Sequence, residues 1–243
     1  MIAHSPPGEL AVLYYDSIAG GRSRNADYLH ICDGGPSMAL AVADGEGDHP
    51  DAAECAQITA QIAAAVASST GNPVEALRAA KQYVDDRNHP VPPGQEGVST
   101  ATVVAINRFS GISLAWAGNS PVWGITPTGE VVGLTVPSCH PTTTPCNVSQ
   151  RHSGLWPHSR TVDIGHFVRL IVATDGLTGH LSRDRPDHMA AMTDRLADLA
   201  GIHQEGGYAL AQLLWLAESC RGRDNITVAV IDLLDHHREG SQR

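Results

Sequence analysis

The stretch Met38–Gly47, MALAVADGEG, is the part of the sequence from which the fold and the chemistry of this chain can be worked out. A run of apolar residues, typical of a buried β-strand, ends there at an aspartate followed by glycine. Two later segments repeat this design, His166–Leu177 (HFVRLIVATDGL) and Arg223–Leu233 (RDNITVAVIDLL). A carboxylate at the end of a buried strand is unfavourable unless a partner neutralises it. We therefore predict a bound cation that neutralises the carboxylates of Asp27, Asp44, Asp175 and Asp224.

The composition limits the possible classes of protein. The chain has 243 residues, of which 42% are hydrophobic, and this suits one globular domain with a large core. The formal net charge of −10 argues against a nucleic-acid-binding surface. Lys81 is the only lysine, and it does not follow a glycine-rich loop, which excludes a phosphate-binding loop of the Walker type.

Neither a secretory nor a membrane-spanning segment is indicated. The first ten residues lack the basic and apolar regions of a signal peptide, and no run of about 18 apolar residues is present. The five cysteines are odd in number and scattered, so that no disulfide framework is expected. We therefore predict a cytoplasmic protein without a membrane partner.

The spacing of apolar residues predicts the secondary structure. An alanine-rich helix carries Ile58, Ile62 and Val66 on one face, and a polar, proline-containing segment at 135–158 is expected to form a loop or flap. The first four strands after residue 98 are expected to form one meander. The predicted strands are Glu9–Asp16, Asp27–Asp33, Met38–Ala43, Ser99–Asn107, Gly111–Ala117, Pro121–Ile125, Glu130–Leu134, Val168–Thr174 and Ile226–Leu233, and the predicted helices are 51–68, 74–87, 186–199 and 205–219.

This order of elements predicts an α+β fold. Strands that are apolar on both faces, such as VVAI and LIVA, favour two packed antiparallel sheets with helices outside them. The expected architecture is a β-sandwich flanked by helices, with four layers in the order αββα. We predict one domain over residues 9–234, with tails at 1–8 and 235–243.

Six short motifs follow one another along the chain. R-x-x-N-x-D begins at Arg22, and V-A-D-G-x-G, S-T-A, G-N-S, A-T-D-G-L and D-N-I-T-V follow in that order. Together they resemble the motifs of the metal-dependent serine/threonine phosphatases of the PPM, or type 2C, family, over nearly the whole chain. The resemblance implies a β-sandwich with a two-metal centre at one end.

The resemblance also implies roles for single residues. Asp44, Asp175 and Asp224 match metal ligands, Asp27 matches the carboxylate that holds metal-bound waters, and Gly45 matches a ligand through its backbone carbonyl. Oxygen ligands of this kind suit Mn²⁺ or Mg²⁺ rather than zinc. Two such ions would clamp a phosphate and ionise a bridging water, which would attack phosphorus without a covalent enzyme intermediate.

Further residues are candidates for binding and proton transfer. Arg22 matches the phosphate-binding arginine of the family, and Arg24 is a rival for that role. Asn225 matches the asparagine beside the last ligand. Glu46 and His49 are candidates for protonating the leaving group, and either could instead be solvated.

Four positions depart from the family pattern. Glu46 stands where some members have a histidine and many bacterial ones an apolar residue. Ala26 replaces a polar side chain, while Asn119 and Gly179 replace two acids. The resemblance implies that those acids hold a third, weaker metal together with Asp175. Because a hard cation needs anionic oxygen, we expect that third site to be nearly empty in this chain.

A different group of possible ligands lies within the segment 135–158. Thiol and imidazole groups suit zinc, but their spacing here matches no ordinary zinc knuckle. A flap near the active site is the alternative for this segment. The residues are Cys139, His140, Cys146 and His152.

The leading functional hypothesis is a Mn²⁺- or Mg²⁺-dependent phosphatase. It would act on phosphoserine and phosphothreonine in proteins, and its partner would be the phosphorylated target of a serine/threonine kinase. Asn119 and Gly179 motivate an alternative, a catalytically weak or inactive module that binds a partner protein. A two-metal phosphoesterase acting on a small molecule is a further alternative, and the sequence leaves the oligomeric state open.

Overall fold

A computed structural model describes residues 2–4, 10–48, 50–88, 91, 96–136, 148, 157–181, 188–219 and 223–234. For residues 2–4, 180–181 and 188–191 it describes the backbone alone. The strands in this part of the chain are β1 (Ile2–His4), β2 (Ala11–Ile18), β3 (Asp27–Cys32), β4 (Met38–Gly45), β5 (Ser99–Asn107), β6 (Gly111–Ala117), β7 (Val122–Ile125), β8 (Val131–Gly133), β9 (His158–Val162), β10 (Arg169–Ala173) and β11 (Ile226–Leu233). The helices are α1 (Pro50–Thr70), α2 (Pro73–Asn88), α3 (Asp175–Leu181), α4 (His188–Ala200) and α5 (Gly206–Ser219).

The strands form two antiparallel sheets. The six-stranded sheet has the order β1-β2-β11-β10-β7-β8, and the five-stranded sheet has the order β3-β4-β5-β6-β9. Apolar side chains of both sheets interdigitate between them, because the strands are apolar on both faces. The largest fully buried residues of this layer include Leu13, Leu40, Leu114 and Leu170.

Helices cover both outer faces of the sandwich. Helices α1 and α2 pack on the five-stranded sheet, and α3, α4 and α5 pack on the six-stranded sheet. The α+β prediction with four layers in the order αββα is therefore confirmed. Within the part of the chain that the structure describes, no helix has the length and apolar character needed to cross a membrane.

Helix α1 lies close to the sheet because small side chains meet there. Its buried face consists mainly of alanines, and these pack on alanines of β4 and β5. The stripe of Ile58, Ile62 and Val66, which the sequence singles out, is only partly buried. The larger side chains thus lie beside the contact with the sheet, and the alanine face forms that contact.

The predicted meander of four strands is wrong. Strands β5 and β6 pair in the five-stranded sheet, whereas β7 and β8 pair in the six-stranded sheet. The chain crosses between the sheets at residues 118–121, where Gly118 has a φ of 122°. Because strands of either sheet are apolar on both faces, the sequence pattern does not say which sheet a strand joins.

Three elements were missing from the sequence prediction. Strand β9 has four exposed residues and thus no apolar pattern, and α3 is short and begins at Asp175. Strand β1 lies within the expected N-terminal tail and pairs with β2. The expected tail at 235–243 lies outside the described residues, as does most of the segment 135–158.

Candidate metal centre

The four aspartates come together at one end of the sandwich. Asp27 is the first residue of β3 and lies directly opposite Asp44 of β4 in the antiparallel register. Asp175 follows the end of β10 and opens α3, and Asp224 precedes β11. Since β10 and β11 are antiparallel neighbours, the end of one lies beside the start of the other. Both sheets therefore contribute two carboxylates each to this end.

Asp27 is the most deeply buried of the four, with 6% of its surface exposed. Its Oδ2 accepts hydrogen bonds from Oγ1 of Thr174 (2.8 Å) and Oγ1 of Thr227 (2.9 Å). Its Oδ1 is buried and receives no hydrogen bond from any described residue. Burial and, to a smaller extent, the charges of Asp175 and Asp224 raise the pKa of Asp27 to about 7, although the two hydroxyl donors act in the opposite direction.

Asp44 is more strongly affected by its neighbours. Its pKa is raised to about 10, chiefly by burial and next by the negative charges of Asp27 and Asp175. A hydrogen bond shared with the Asp175 carboxyl and the charge of Asp224 act in the same direction. Without a cation, the cluster therefore retains protons at neutral pH, as expected for carboxylates held close together.

Asp224 is paired with the predicted phosphate-binding arginine. Oδ1 of Asp224 accepts a hydrogen bond from Nε of Arg22 (3.0 Å) and forms an ion pair with Nη2 of Arg22 at 2.9 Å. The side chain of Arg22 is 38% exposed and that of Asp224 is 43% exposed, so that this edge of the cluster faces solvent. Arg24 is also exposed, and its backbone carbonyl accepts a hydrogen bond from Asn225. Of the two rival arginines, Arg22 is the one in contact with a cluster carboxylate.

Asp175 is held by a residue that departs from the family pattern. Nδ2 of Asn119 donates a hydrogen bond to Oδ2 of Asp175 at 2.6 Å. Gly179 lies one turn further along α3, where a Cβ atom would meet nothing within 4 Å. Of the residues that replace the two acids, Asn119 thus supplies a neutral amide donor, and Gly179 leaves open space.

Asn225 joins the segments that carry Asp27 and Asp224. Its Oδ1 accepts the backbone N–H of Ala26 (2.8 Å), and its Nδ2 donates to the carbonyls of Ala19 (2.9 Å) and Arg24 (2.8 Å). Both polar atoms of its side chain are thus used by backbone groups, and its backbone N–H donates to Oδ1 of Asp224 at 3.1 Å. The Asn225 side chain consequently holds the approach to β3 against the start of β11, and its amide group contacts none of the four carboxylates.

Gly45 is required by the close approach of α1. A Cβ atom at this position would lie 2.4 Å from the carbonyl oxygen of Ala52, the third residue of α1. The Gly45 N–H donates to the Ala26 carbonyl at 3.0 Å, which ties β4 to the approach of β3. Glu46 follows, is partly buried, and bonds through its N–H to the Val98 carbonyl (2.8 Å).

Several predicted residues lie outside the described part of the chain. His49, the second candidate for protonating a leaving group, is among them. The possible thiol and imidazole ligands of the segment 135–158 are the others, namely Cys139, His140, Cys146 and His152.

The donor chemistry of the cluster fits a hard divalent cation. All the charged groups are carboxylates, and the Asp27 Oδ1 is a buried acceptor without a donor. Among the described residues, however, no three carboxylate, imidazole or thiol groups are already arranged to ligate one ion. Asp224 faces Arg22 and Asp175 faces Asn119, so ligation of a common ion would require adjustment of these side chains.

Sequence reasoning missed the hydroxyl groups around Asp27. Thr174 and Thr227 are the threonines of the A-T-D-G-L and D-N-I-T-V motifs, so each was present in a quoted motif without a role. Ser17 contacts Thr227 and lies in β2, outside every motif quoted from the sequence, so that nothing in the sequence pointed to it.

Comparison with known proteins gives one family match and many fold matches. The family model described as stage II sporulation protein E (SpoIIE) matches residues 34–234. A search of curated proteins finds no match.

Several of the similar solved structures are bacterial phosphatases by name. The PPM Ser-Thr phosphatase MsPP from Mycobacterium smegmatis, in complex with cacodylate, has a TM-score of 0.72 at 22% identity, over 95% of this chain and 100% of that chain. PstP/Ppp from Mycobacterium tuberculosis has a TM-score of 0.70 at 21% identity, over 92% and 98%. Stp1 from Staphylococcus aureus has a TM-score of 0.76 at 14% identity, over 97% and 100%. At these identities the likeness is one of fold.

Proposed function

Because this chain belongs to the SpoIIE family of PPM-type phosphatases, we propose that it removes phosphate from phosphoserine and phosphothreonine in proteins with the help of two Mn²⁺ or Mg²⁺ ions. The solved structures of similar fold support the proposal, since those described above are serine/threonine phosphatases by name.

The observation that carries the proposal is the convergence of four aspartates from both sheets. Asp27 and Asp44 lie opposite each other, and their pKa values are raised by burial and by Asp175 and Asp224. Such a cluster destabilises the fold when no cation is bound, and it is well suited to binding a doubly charged cation.

Asp27, Asp44, Asp175 and Asp224 would hold the ions, together with the backbone carbonyl of Gly45. When bound, the ions would supply Lewis-acid chemistry that polarises the phosphoryl group and makes a water molecule nucleophilic near neutral pH. The protein's part is to hold these carboxylates in place and to release their protons as the ions bind.

Arg22 would bind the phosphate group. Its guanidinium lies against Asp224, which fixes it at the edge of the cluster, and 38% of its side chain remains exposed. A planar guanidinium suits two phosphate oxygens at once. The exposure of this edge is compatible with a substrate as large as a protein.

Glu46 is the described candidate for delivering a proton to the leaving serine or threonine oxygen. It lies two positions after Asp44 in the chain and is partly buried. His49 stays a prediction for the same role. A cytoplasmic location of the protein also stays a prediction.

One contact favours a second candidate function. The 2.6 Å hydrogen bond from Asn119 to Asp175 occupies an oxygen that would otherwise face a further cation. This favours a weak phosphatase, or a module that binds a phosphorylated partner without turnover. A phosphoesterase acting on small molecules is the remaining alternative.

The test combines activity with direct measurement of ion binding. Hydrolysis of p-nitrophenyl phosphate and of a phosphoserine peptide is measured in Mn²⁺ and in chelator, and calorimetry counts the ions. We expect Mn²⁺-dependent hydrolysis that favours the peptide and is lost in Asp175→Ala. Two bound ions without turnover would identify the binding module, and activity insensitive to chelator and to Asp175→Ala would reject the metal mechanism.

A further inference from the structure

A closed ring of hydrogen bonds surrounds Asp27. The Asp27 N–H donates to Oδ1 of Asn25 (3.1 Å), and Nδ2 of Asn25 donates to Oγ of Ser17 (2.8 Å). Oγ of Ser17 lies 2.7 Å from Oγ1 of Thr227, which in turn donates to Oδ2 of Asp27 at 2.9 Å. The ring thus begins at the backbone of Asp27 and ends at its carboxylate.

When Asp27 is ionised, as it would be beside a bound cation, the direction of every bond in this ring is determined. Thr227 has one hydroxyl proton and donates it to Asp27, so Ser17 must donate its own proton to Thr227. Asn25 cannot turn its amide around, because its oxygen already accepts the Asp27 N–H. Each donor therefore has one acceptor, and the ring has one arrangement.

A second hydroxyl reaches the same carboxylate oxygen. Oγ1 of Thr174 donates to Oδ2 of Asp27 at 2.8 Å and accepts the backbone N–H of Thr227 at 3.0 Å. The Thr174 N–H also donates to the Thr227 carbonyl at 3.0 Å. The two threonines are thus held together by backbone bonds, and both hydroxyl protons point to Oδ2.

This arrangement leaves the two oxygens of Asp27 in different states. Oδ2 has two hydroxyl donors, whereas Oδ1 is buried and receives no hydrogen bond from the described residues. A ligand carboxylate held through one oxygen presents the other to a metal ion, and the partners that hold it influence the affinity.

We propose that Thr174 and Thr227, with Ser17 and Asn25 behind them, are positioning residues that present Oδ1 of Asp27 to a divalent cation. The proposal rests on the metal centre of the proposed function. The ligand is a hard divalent cation such as Mn²⁺, and the positioning residues themselves would touch neither ion nor substrate.

A purely structural role makes a different prediction. If the hydroxyls only satisfied a buried carboxylate, their loss would lower the stability of the metal-free protein and leave the ion affinity unchanged. If they position Asp27, their loss weakens ion binding, and the conservative change to serine restores it.

The experiment measures Mn²⁺ binding to the metal-free protein by calorimetry and by the electron paramagnetic resonance signal of free Mn²⁺. The variants are Thr227→Val, Thr227→Ser and Ser17→Ala. The matched control is Thr102→Val, which removes an equally buried hydroxyl that donates to the Ser120 carbonyl at 2.7 Å.

We expect Thr227→Val to weaken the binding of one Mn²⁺ by about 10- to 100-fold, as loss of an outer partner of a ligand does. Thr227→Ser and Thr102→Val should stay close to the unmodified protein. The activity lost by Thr227→Val at low Mn²⁺ should return at high Mn²⁺, since the ligands themselves remain.

The outcomes separate the two proposals. Failure of the unmodified protein to bind Mn²⁺ would overturn the proposed function, and with it the premise of the positioning role. Normal binding by both the unmodified protein and Thr227→Val would overturn the positioning role alone. If Thr227→Val does not fold, Ser17→Ala decides, because it opens the ring without touching Asp27, and unchanged affinity there would equally reject the proposal.

Discussion

Asp27 and Asp44 lie directly opposite each other on adjacent antiparallel strands at the end of the sandwich. Like charges in this position destabilise a sheet. Here the conflict is increased by burial and by the two aspartates of the other sheet. Protons relieve it in the metal-free protein, and a divalent cation would relieve it by displacing them.

The stability of the metal-free protein should depend on pH. The folded-state pKa values of Asp27 and Asp44 are raised to about 7 and about 10, so the folded state binds protons that the unfolded state releases. Their contribution is complete below the unfolded value of 3.8 and is lost as pH rises through about 7 and then about 10. Thermal unfolding in chelator should show a falling midpoint from acid to alkaline pH.

Two comparisons check this pH prediction. Mn²⁺ should raise the unfolding midpoint more at alkaline than at acid pH, because protons compete with the ion for the carboxylates. Asp44→Asn should flatten the pH dependence in chelator and abolish most of the stabilisation by Mn²⁺. A midpoint in chelator that rises with pH would contradict the raised pKa values.

Arg22 and Arg24 should differ in their effect on phosphate binding. Arg22 contacts Asp224 at the cluster, and Arg22→Ala should lower kcat/KM for phosphate esters by about 10- to 100-fold through loss of a charge-assisted contact. Arg24→Ala is the matched control, because it removes the same charge two positions away, and should have little effect. Inhibition by inorganic phosphate provides a readout without turnover, and the reverse ranking would assign the phosphate to Arg24.

A third ion should bind only when the missing acids are restored. Asn119→Asp would place a carboxylate where the amide now contacts Asp175, and Gly179→Asp has open space around it. Native mass spectrometry in Mn²⁺ should show one more ion in the double variant than in the unmodified protein. Asn119→Ala, which removes the amide without adding charge, is the control and should add none. Equal ion counts in all three proteins would show that these positions do not limit the number of ions.

Two glycines of α3 should respond oppositely to alanine. A Cβ at Gly176 would lie 1.8 Å from the Asn225 carbonyl oxygen, so Gly176→Ala should destabilise the fold by about 3 kcal/mol or more. Gly179 has nothing within 4 Å of a Cβ, and Gly179→Ala should stabilise by about 0.5–1 kcal/mol through helix propensity. Urea unfolding of both variants tests the close contact of α3 with Asn225. Equal changes in the free energy of unfolding of the two variants would contradict that contact.

The layers of the fold could be predicted because strand patterns are local. Segments such as Ser99–Asn107 and Ile226–Leu233 have the bounds in the structure that their apolar runs predict. The sheet that β7 and β8 join could not be predicted, because both sheets bury strands on two faces. The exposed strand β9 could not be found either, since it has no apolar pattern.

The sequence by itself determined the family resemblance, the four-layer architecture and the set of four aspartates, because buried strands that end in acid leave a local signature. Only the tertiary structure decided which groups those acids meet. Thr227 reaches Asp27 across 200 residues and Arg22 reaches Asp224 across 202, and no local pattern specifies such pairs. The first contact depends on the packing of one sheet on the other, and the second on the pairing of β2 with β11 within the six-stranded sheet.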